Sequence, residues 1–179
     1  MEETAMKYQH KIEVMLTKEE IAAKVKEIGA QITRDYQDKP VVLISVLKGS
    51  FIFMADLVRA IDLPVHLDFI SAKSYSGTLS GGVVNVKMDT ELDIKGKYVL
   101  LVEDILDTGR TLNVLKETLI SKGAKEVKIA AFLDKPARRV IDIQADYSCY
   151  TIEDRFVVGY GLDYDEEYRN LDFVGEVIL

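Results

Sequence analysis

VLLVEDILDTGRT, residues Val99 to Thr111, is the stretch on which the fold turns. Lys97 to Glu103 (KYVLLVE) reads as a strand buried on both faces, and two adjacent acids, Glu103 and Asp104, stand at its expected end. Two apolar residues follow, then the loop Asp107-Thr108-Gly109-Arg110-Thr111, and a helix is expected over Leu112 to Lys122, closed by Gly123. The start of that helix offers unpaired backbone N–H groups, which make an anion site. Gly109 permits close backbone approach to a phosphate, and Thr108 and Thr111 add hydroxyl donors. Glu103 and Asp104 can accept hydrogen bonds from vicinal ribose hydroxyls and hold hydrated magnesium. A phosphate cradle beside a diol-binding acid pair describes a ribose 5-phosphate site. The competing reading, a plain turn and helix cap at Asp107 to Gly109, leaves the two acids at the end of a buried strand unexplained. No Walker G-x-x-x-x-G-K-[ST] is present, and no G-x-G-x-x-G follows a strand.

Working outward, the same alternation of buried strand and amphipathic helix recurs. Thr17 and Glu20 form a capping box, and Ile21, Val25, Ile28 and Ile32 predict a helix over 18–36. Val41 to Val46 (VVLISV) is a buried strand, interrupted by Leu47-Lys48-Gly49-Ser50. Phe51, Met54, Ala55, Val58 and Ile61 give a second helix. Val65 to Ser71 and Val83 to Met88 read as strands joined by the polar stretch Ala72 to Gly82. Val127 to Leu133 is a further strand, with shorter ones near 146–150, 156–160 and 173–178. The pattern predicts a parallel, doubly wound α/β sheet. Such sheets bind ligands beyond the carboxyl ends of their strands, so the loops after residues 46, 103 and 133 are the places to search.

Length and composition set bounds on function. The 179 residues suit one domain, and 48% apolar with 30% charged residues is ordinary for a soluble globular protein. No apolar run reaches the ~20 residues of a membrane span, and MEETAMKYQHKIEV is not a secretory signal. Cys149 is the only cysteine, so a reducing cytoplasm is the expected location. His10 and His66 lack zinc-ligand spacing, and they leave a Ser-His-Asp triad little to work with. A net charge of −7 argues against nucleic acid as a partner.

VLLVEDILDTGRT resembles the phosphoribosyl-pyrophosphate signature of the type I phosphoribosyltransferases. The remaining motifs narrow the resemblance to the hypoxanthine-guanine phosphoribosyltransferases. VLKGSFIFMADL is similar to that family's pyrophosphate loop and following helix, and KSYSG to its mobile loop. FLDKPARR resembles its base-contacting lysine segment, and FVVGYGLDYDEEYRNL its C-terminal hood. The match spans about residues 12–175 with the motifs in order. It implies a single domain over 1–179: a core at about 18–160, with a small hood subdomain formed by the N-terminal segment and about 136–179.

The resemblance implies roles residue by residue. Glu103 and Asp104 correspond to the ribose and magnesium acids, and Asp163 to a further metal ligand. Asp107 corresponds to the general base at the purine imidazole nitrogen. Thr108, Gly109, Arg110 and Thr111 correspond to the 5′-phosphate cradle, and Ile105 belongs to the same substrate-binding loop. Lys48 and Gly49 correspond to pyrophosphate contacts, with a cis peptide between Leu47 and Lys48, and Arg169 adds another pyrophosphate contact. Lys135 corresponds to the group that reads the 6-oxo substituent. Phe156 corresponds to the ring stacking on the base, and Val157 to backbone contacts with it. Ser74 and Tyr75 correspond to lid residues. Two departures, Ser50 for a glycine or alanine and Arg110 for a lysine, are expected to be tolerated.

The implied activity is purine salvage: magnesium-dependent transfer of the phosphoribosyl group from phosphoribosyl pyrophosphate to hypoxanthine and guanine, by a homodimer or homotetramer. Rival readings are a transferase that prefers xanthine or uses hypoxanthine much better than guanine, a pyrimidine enzyme, and a nucleic-acid-binding regulator that kept the ligand site. The acidic balance and the retained Asp107 oppose the last.

Overall fold

The computed structural model describes residues 10–74 and 84–178. In chain order the strands are β1 (Lys11–Leu16), β2 (Val41–Leu47), β3 (His66–Ser74), β4 (Val84–Met88), β5 (Tyr98–Leu106), β6 (Glu126–Asp134), β7 (Tyr147–Thr151), β8 (Val157–Val158) and β9 (Val174–Ile178). The helices are α1 (Lys18–Asp35), α2 (Phe51–Ala60) and α3 (Arg110–Ser121). Six strands form one sheet in the order β4-β3-β2-β5-β6-β7, parallel throughout except for the antiparallel edge pair β3–β4. The sheet is therefore mostly parallel, with its one antiparallel pair at the edge.

Side-chain alternation along the buried strands feeds two cores. Leu43, Leu100, Val102 and Phe132 pack with Ile21, Val25 and Ile32 of α1 and with Phe53 and Leu57 of α2. Val42, Ile44, Leu101 and Ile129 pack on the opposite face with Leu112, Leu115 and Leu119 of α3. The helices divide this way because β2-α2-β3 winds toward one edge while β5-α3-β6 winds toward the other, and right-handed crossovers then place α2 and α3 on opposite faces. The winding reverses between β2 and β5, so the carboxyl ends of these two strands flank a crevice. α1 is fixed by the expected capping box: Glu20 N–H donates to Thr17 Oγ1 at 3.3 Å and Thr17 N–H to Glu20 Oε2 at 2.8 Å.

Two boundaries differ from the sequence expectation in ways that matter. β5 runs on to Leu106, so Glu103 and Asp104 lie inside the strand and not at its end. The reason is unequal pairing: β2 leaves β5 after Ser45↔Val102, whereas β6 stays paired to Leu106↔Asp134. Residues 103–106 thus keep one neighbour and turn an open edge to the crevice. In addition, β1 pairs antiparallel with β9, and β9 with β8, in a second sheet that joins the two ends of the chain. The sequence reading left β1 unassigned, although Ile12, Val14 and Leu16 alternate. Val14 is 55% exposed, so that alternation marks a thin cover and not a core strand.

Candidate active site

A cleft of about 470 Å³ opens at the crevice between β2 and β5. One wall is the end of β2 with Lys48 and Gly49, and the floor is Glu103, Asp104 and Ile105. Asp107, Gly109 and Thr111 close the far side, and Asp163, Glu166 and Arg169 come over the top from the C-terminal segment. Three of the expected motifs therefore meet in the lining: the Lys48-Gly49 loop, the stretch from Glu103 to Thr111, and the C-terminal segment with Asp163 and Arg169. Thr108 and Arg110 belong to the loop and first turn that frame the far side, although their side chains are not part of the lining.

The β2–α2 turn is tied back to its own strand. The Leu47–Lys48 peptide is cis, as the resemblance implied. Ser50 is fully buried; its hydroxyl donates to Val46 O at 2.5 Å and shares a hydrogen bond with Ser45 Oγ at 2.7 Å. The serine that departs from the family pattern thus ties the loop back to the strand. Gly49 has no room for a side chain, because a Cβ there would lie 1.6 Å from Asp104 Oδ2. A Cβ at Gly161, whose φ is +101°, would lie 2.0 Å from Gly49 O. Two glycines therefore let the pyrophosphate-type loop be squeezed between the acid pair and the C-terminal segment.

The acid pair is electrostatically strained. Glu103 is 8% exposed, and burial together with the neighbouring Asp104 charge pushes its carboxyl well above the usual range. Burial also raises Asp104, opposed by hydrogen bonds from its surroundings and by the Arg169 guanidinium; Ile105 N–H donates to Asp104 Oδ1 at 2.7 Å. Opposite them, the two cations of the cleft are already engaged. Lys48 Nζ lies 2.8 Å from Glu166 Oε2, and Arg169 pairs with Asp163 at 2.9 Å and Glu166 at 3.4 Å. Arg169 also donates to Gly161 O at 2.8 Å. The Lys48 ammonium holds the Glu166 carboxyl below its usual value.

Gly109 precedes α3 with φ +82°, and no side chain caps the helix start. Its missing Cβ would point at Ile143 and Arg139, so the glycine is required by backbone conformation and packing behind the loop rather than by ligand approach alone.

A family model described as the phosphoribosyl transferase domain matches residues 13–165. The chain belongs to the phosphoribosyltransferase family. Among its relatives, the hypoxanthine-guanine phosphoribosyltransferase of Streptococcus pneumoniae is 52% identical over 163 residues, covering 90% of this chain and 91% of that one. The crystal structure of a hypoxanthine phosphoribosyltransferase from Staphylococcus aureus superposes with a TM-score of 0.93 at 46% identity, covering 99% and 97% of the two chains. A Trypanosoma cruzi hypoxanthine phosphoribosyltransferase, solved to study the role of its C-terminal region in oligomeric state and enzymatic activity, gives 0.90 at 41% identity over 96% and 93%.

Lys135, Phe156 and Val157, also expected in the site of this phosphoribosyltransferase, are not part of the cleft lining. Lys135 is 6% exposed at the end of β6; its ammonium donates to Arg155 O at 2.7 Å and pairs with Asp154 at 3.4 Å. Its backbone N–H donates to Leu106 O at 2.9 Å, which ties it to the end of β5. Phe156 is 46% exposed and meets Tyr164 edge-on at 5.1 Å between centroids, leaving an aromatic face available. Val157 is buried and pairs with Glu176. Ser74 ends β3, and Tyr75 lies outside the described residues. Cys149 is buried, with its thiol pushed up to about 12, so it offers no ready nucleophile. Sequence reasoning gives no role to Glu166, one of an acidic run that reads as a solvated face, or to Arg139, whose partners are distant in sequence.

Proposed function

We propose that this phosphoribosyltransferase moves the 5-phosphoribosyl group from phosphoribosyl pyrophosphate to hypoxanthine and guanine, releasing pyrophosphate and giving IMP and GMP. The observation that carries this reading is the convergence, in one cleft, of buried Glu103 and half-buried Asp104, Asp107 with the start of α3, and the cations Lys48 and Arg169. The high identity to relatives bearing the hypoxanthine-guanine name supports the choice of base.

In this mechanism the cradle of residues 108–111 fixes the 5′-phosphate, and Glu103 and Asp104 hold the ribose hydroxyls. Holding both ends of the ribose orients the anomeric carbon between base and leaving group. The purine imidazole nitrogen forms a bond to that carbon as the bond to the pyrophosphate oxygen breaks, with the electron pair leaving on pyrophosphate. Asp107 takes the imidazole proton. Lys48 and Arg169 stabilise the departing negative charge, and the Lys48 and Gly49 backbone lies against the same group. Lys135 donates to the 6-oxo group, Phe156 stacks on the base, and Val157 contributes backbone contacts. The segment containing Ser74 and Tyr75 excludes water from the activated ribosyl carbon.

Magnesium fits the donor set. Glu103, Asp104 and Asp163 are hard oxygen ligands on one cleft, and the raised carboxyls of the first two mark negative charge that a divalent cation relieves. No group of three such side chains placed to hold one ion is present among the described residues; these carboxylates would hold the ion together with substrate oxygens and water. When bound, magnesium neutralises charge on the pyrophosphate leaving group.

The enzyme is read as cytoplasmic, and as a homodimer or homotetramer. No helix among the described residues is long and apolar enough to cross a membrane. The deciding experiment compares initial rates with hypoxanthine, guanine, xanthine and adenine, with and without magnesium. Magnesium-dependent turnover of hypoxanthine and guanine, with adenine inactive, is expected. A faster rate with xanthine would replace the base assignment, and no turnover of any base would overturn the enzymatic reading.

A further inference from the structure

We infer that Arg139 is a positioning residue that aims the phosphate cradle from behind; this rests on the reading of residues 108–111 as that cradle. Arg139 is 14% exposed and lies on the far side of the loop from the cleft. Four of its five guanidinium N–H groups are engaged. Nε donates to Asp107 O at 2.8 Å, Nη2 to Leu106 O at 3.1 Å, Nη1 to Ile143 O at 2.5 Å, and Nη2 also pairs with the Asp134 carboxylate. The next two residues continue the pattern, since Val140 N–H and Ile141 N–H both donate to Thr108 O, at 3.1 and 3.2 Å.

Three consecutive carbonyls, those of Leu106, Asp107 and Thr108, are therefore turned toward the segment 139–141. None of their peptide bonds is cis. In a planar trans peptide the C=O and the following N–H point in opposite directions. Holding the three carbonyls on one side turns the N–H groups of Asp107, Thr108 and Gly109 to the other, where Gly109 and Thr111 line the cleft. Successive N–H groups aimed at one concavity bind an anion, and the start of α3 adds to the same field.

Only a planar fork of five donors can span two adjacent carbonyls, a third carbonyl and a carboxylate at once. Lysine, with its donors on one atom, cannot. The arrangement also couples the two halves of the site, because Leu106 O accepts from Arg139 and from the backbone N–H of Lys135.

The test is a calorimetric titration of the full-length protein and of Arg139→Met with IMP and with inosine, which differ only in the 5′-phosphate. The unaltered protein is expected to prefer IMP. Arg139→Met should reduce that preference by about 10- to 100-fold, the scale of loosening a binding group by an ångström or less. General destabilisation lowers both affinities together and leaves the ratio unmoved. Arg139→Lys should lose part of the preference, and it decides the matter should Arg139→Met not fold. No preference for IMP in the unaltered protein sinks the cradle reading itself. A clear preference that survives unchanged in either variant sinks the role of Arg139 alone.

Discussion

Gly49→Ala places one methyl group where the fold has none to spare. The new Cβ would lie 1.6 Å from Asp104 Oδ2 and 2.6 Å from its Cγ. Normal contact requires about 3.4 Å or more, so the carboxylate must move by roughly 2 Å. Its present position is held by the Ile105 N–H at 2.7 Å, a hydrogen bond to a charged group that contributes about 1.5–3 kcal/mol. Asp104 can escape only by swinging into the open cleft, where the ribose and its cation are proposed to bind. Part of the stability cost is recovered there, because the displaced carboxylate gains water. A loss of about 1–2 kcal/mol corresponds to a fall in Tm of roughly 2–8 °C for a chain of this size. The functional cost is much larger, since a catalytic group misplaced by about 1 Å can cost about 100-fold. Steady-state kcat/KM for phosphoribosyl pyrophosphate should therefore fall by about two orders of magnitude or more, at a temperature where circular dichroism shows the variant folded. A variant retaining full kcat/KM would refute the argument that Gly49 exists to leave room for Asp104.

Asp107→Asn keeps the size of the side chain but cannot take a proton; kcat should fall about 10²–10⁴-fold with phosphoribosyl pyrophosphate binding less affected, and an unchanged kcat would remove Asp107 from the mechanism. Exhaustive chelation should abolish turnover and added magnesium restore it; full activity in the chelated enzyme would count against the metal. Lys135→Ala should narrow the preference for hypoxanthine over adenine, which a dedicated hydrogen bond sets at about 10⁴–10⁵, and comparable kcat/KM for the two bases in the unaltered enzyme would defeat the assignment. Glu166→Gln should release Lys48 from its ion-pair partner, leaving Arg169 on Asp163, and lower KM for phosphoribosyl pyrophosphate roughly two- to fivefold, the scale of an exposed ion pair; a raised KM would show that Glu166 serves binding instead.

Local signals carried most of the fold. The Thr17–Glu20 capping box and the VVLISV and KYVLLVE runs predicted α1 and the two central strands to within a few residues. What local sequence could not express was unequal pairing. The acids looked like a strand terminus because polarity rises there, whereas β6 continues the strand past them and only β2 stops. β1 escaped notice because its partner is the far end of the chain. In the site, motifs defined by short spacing came together as expected. The supporting contacts did not announce themselves, because they join residues far apart in sequence: Arg139 to the Leu106 and Asp107 carbonyls, Glu166 to Lys48, and Gly161 to Gly49. Arg139 sits in FLDKPARR beside Arg138, which is half-exposed near Asp154, and nothing in the string separates the two arginines.

The charge distribution of the cleft explains how an acidic protein can accept a polyanionic substrate. Its two facing cations are not free: Glu166 and Asp163 already hold Lys48 and Arg169. Beneath them, Glu103 and Asp104 are desolvated and mutually repelling, so a further bare anion would meet net repulsion. A pyrophosphate group can replace Glu166 at Lys48 and Arg169, but that exchange swaps one anion for another and gains little by itself. On the proposed reading, the gain would come from the floor of the cleft, where Glu103 and Asp104 would favour a ligand that brings its own divalent cation. The same four carboxylates would then serve as a filter, disfavouring free phosphate and pyrophosphate and favouring the metal-complexed form, because the cations are paired before the substrate arrives.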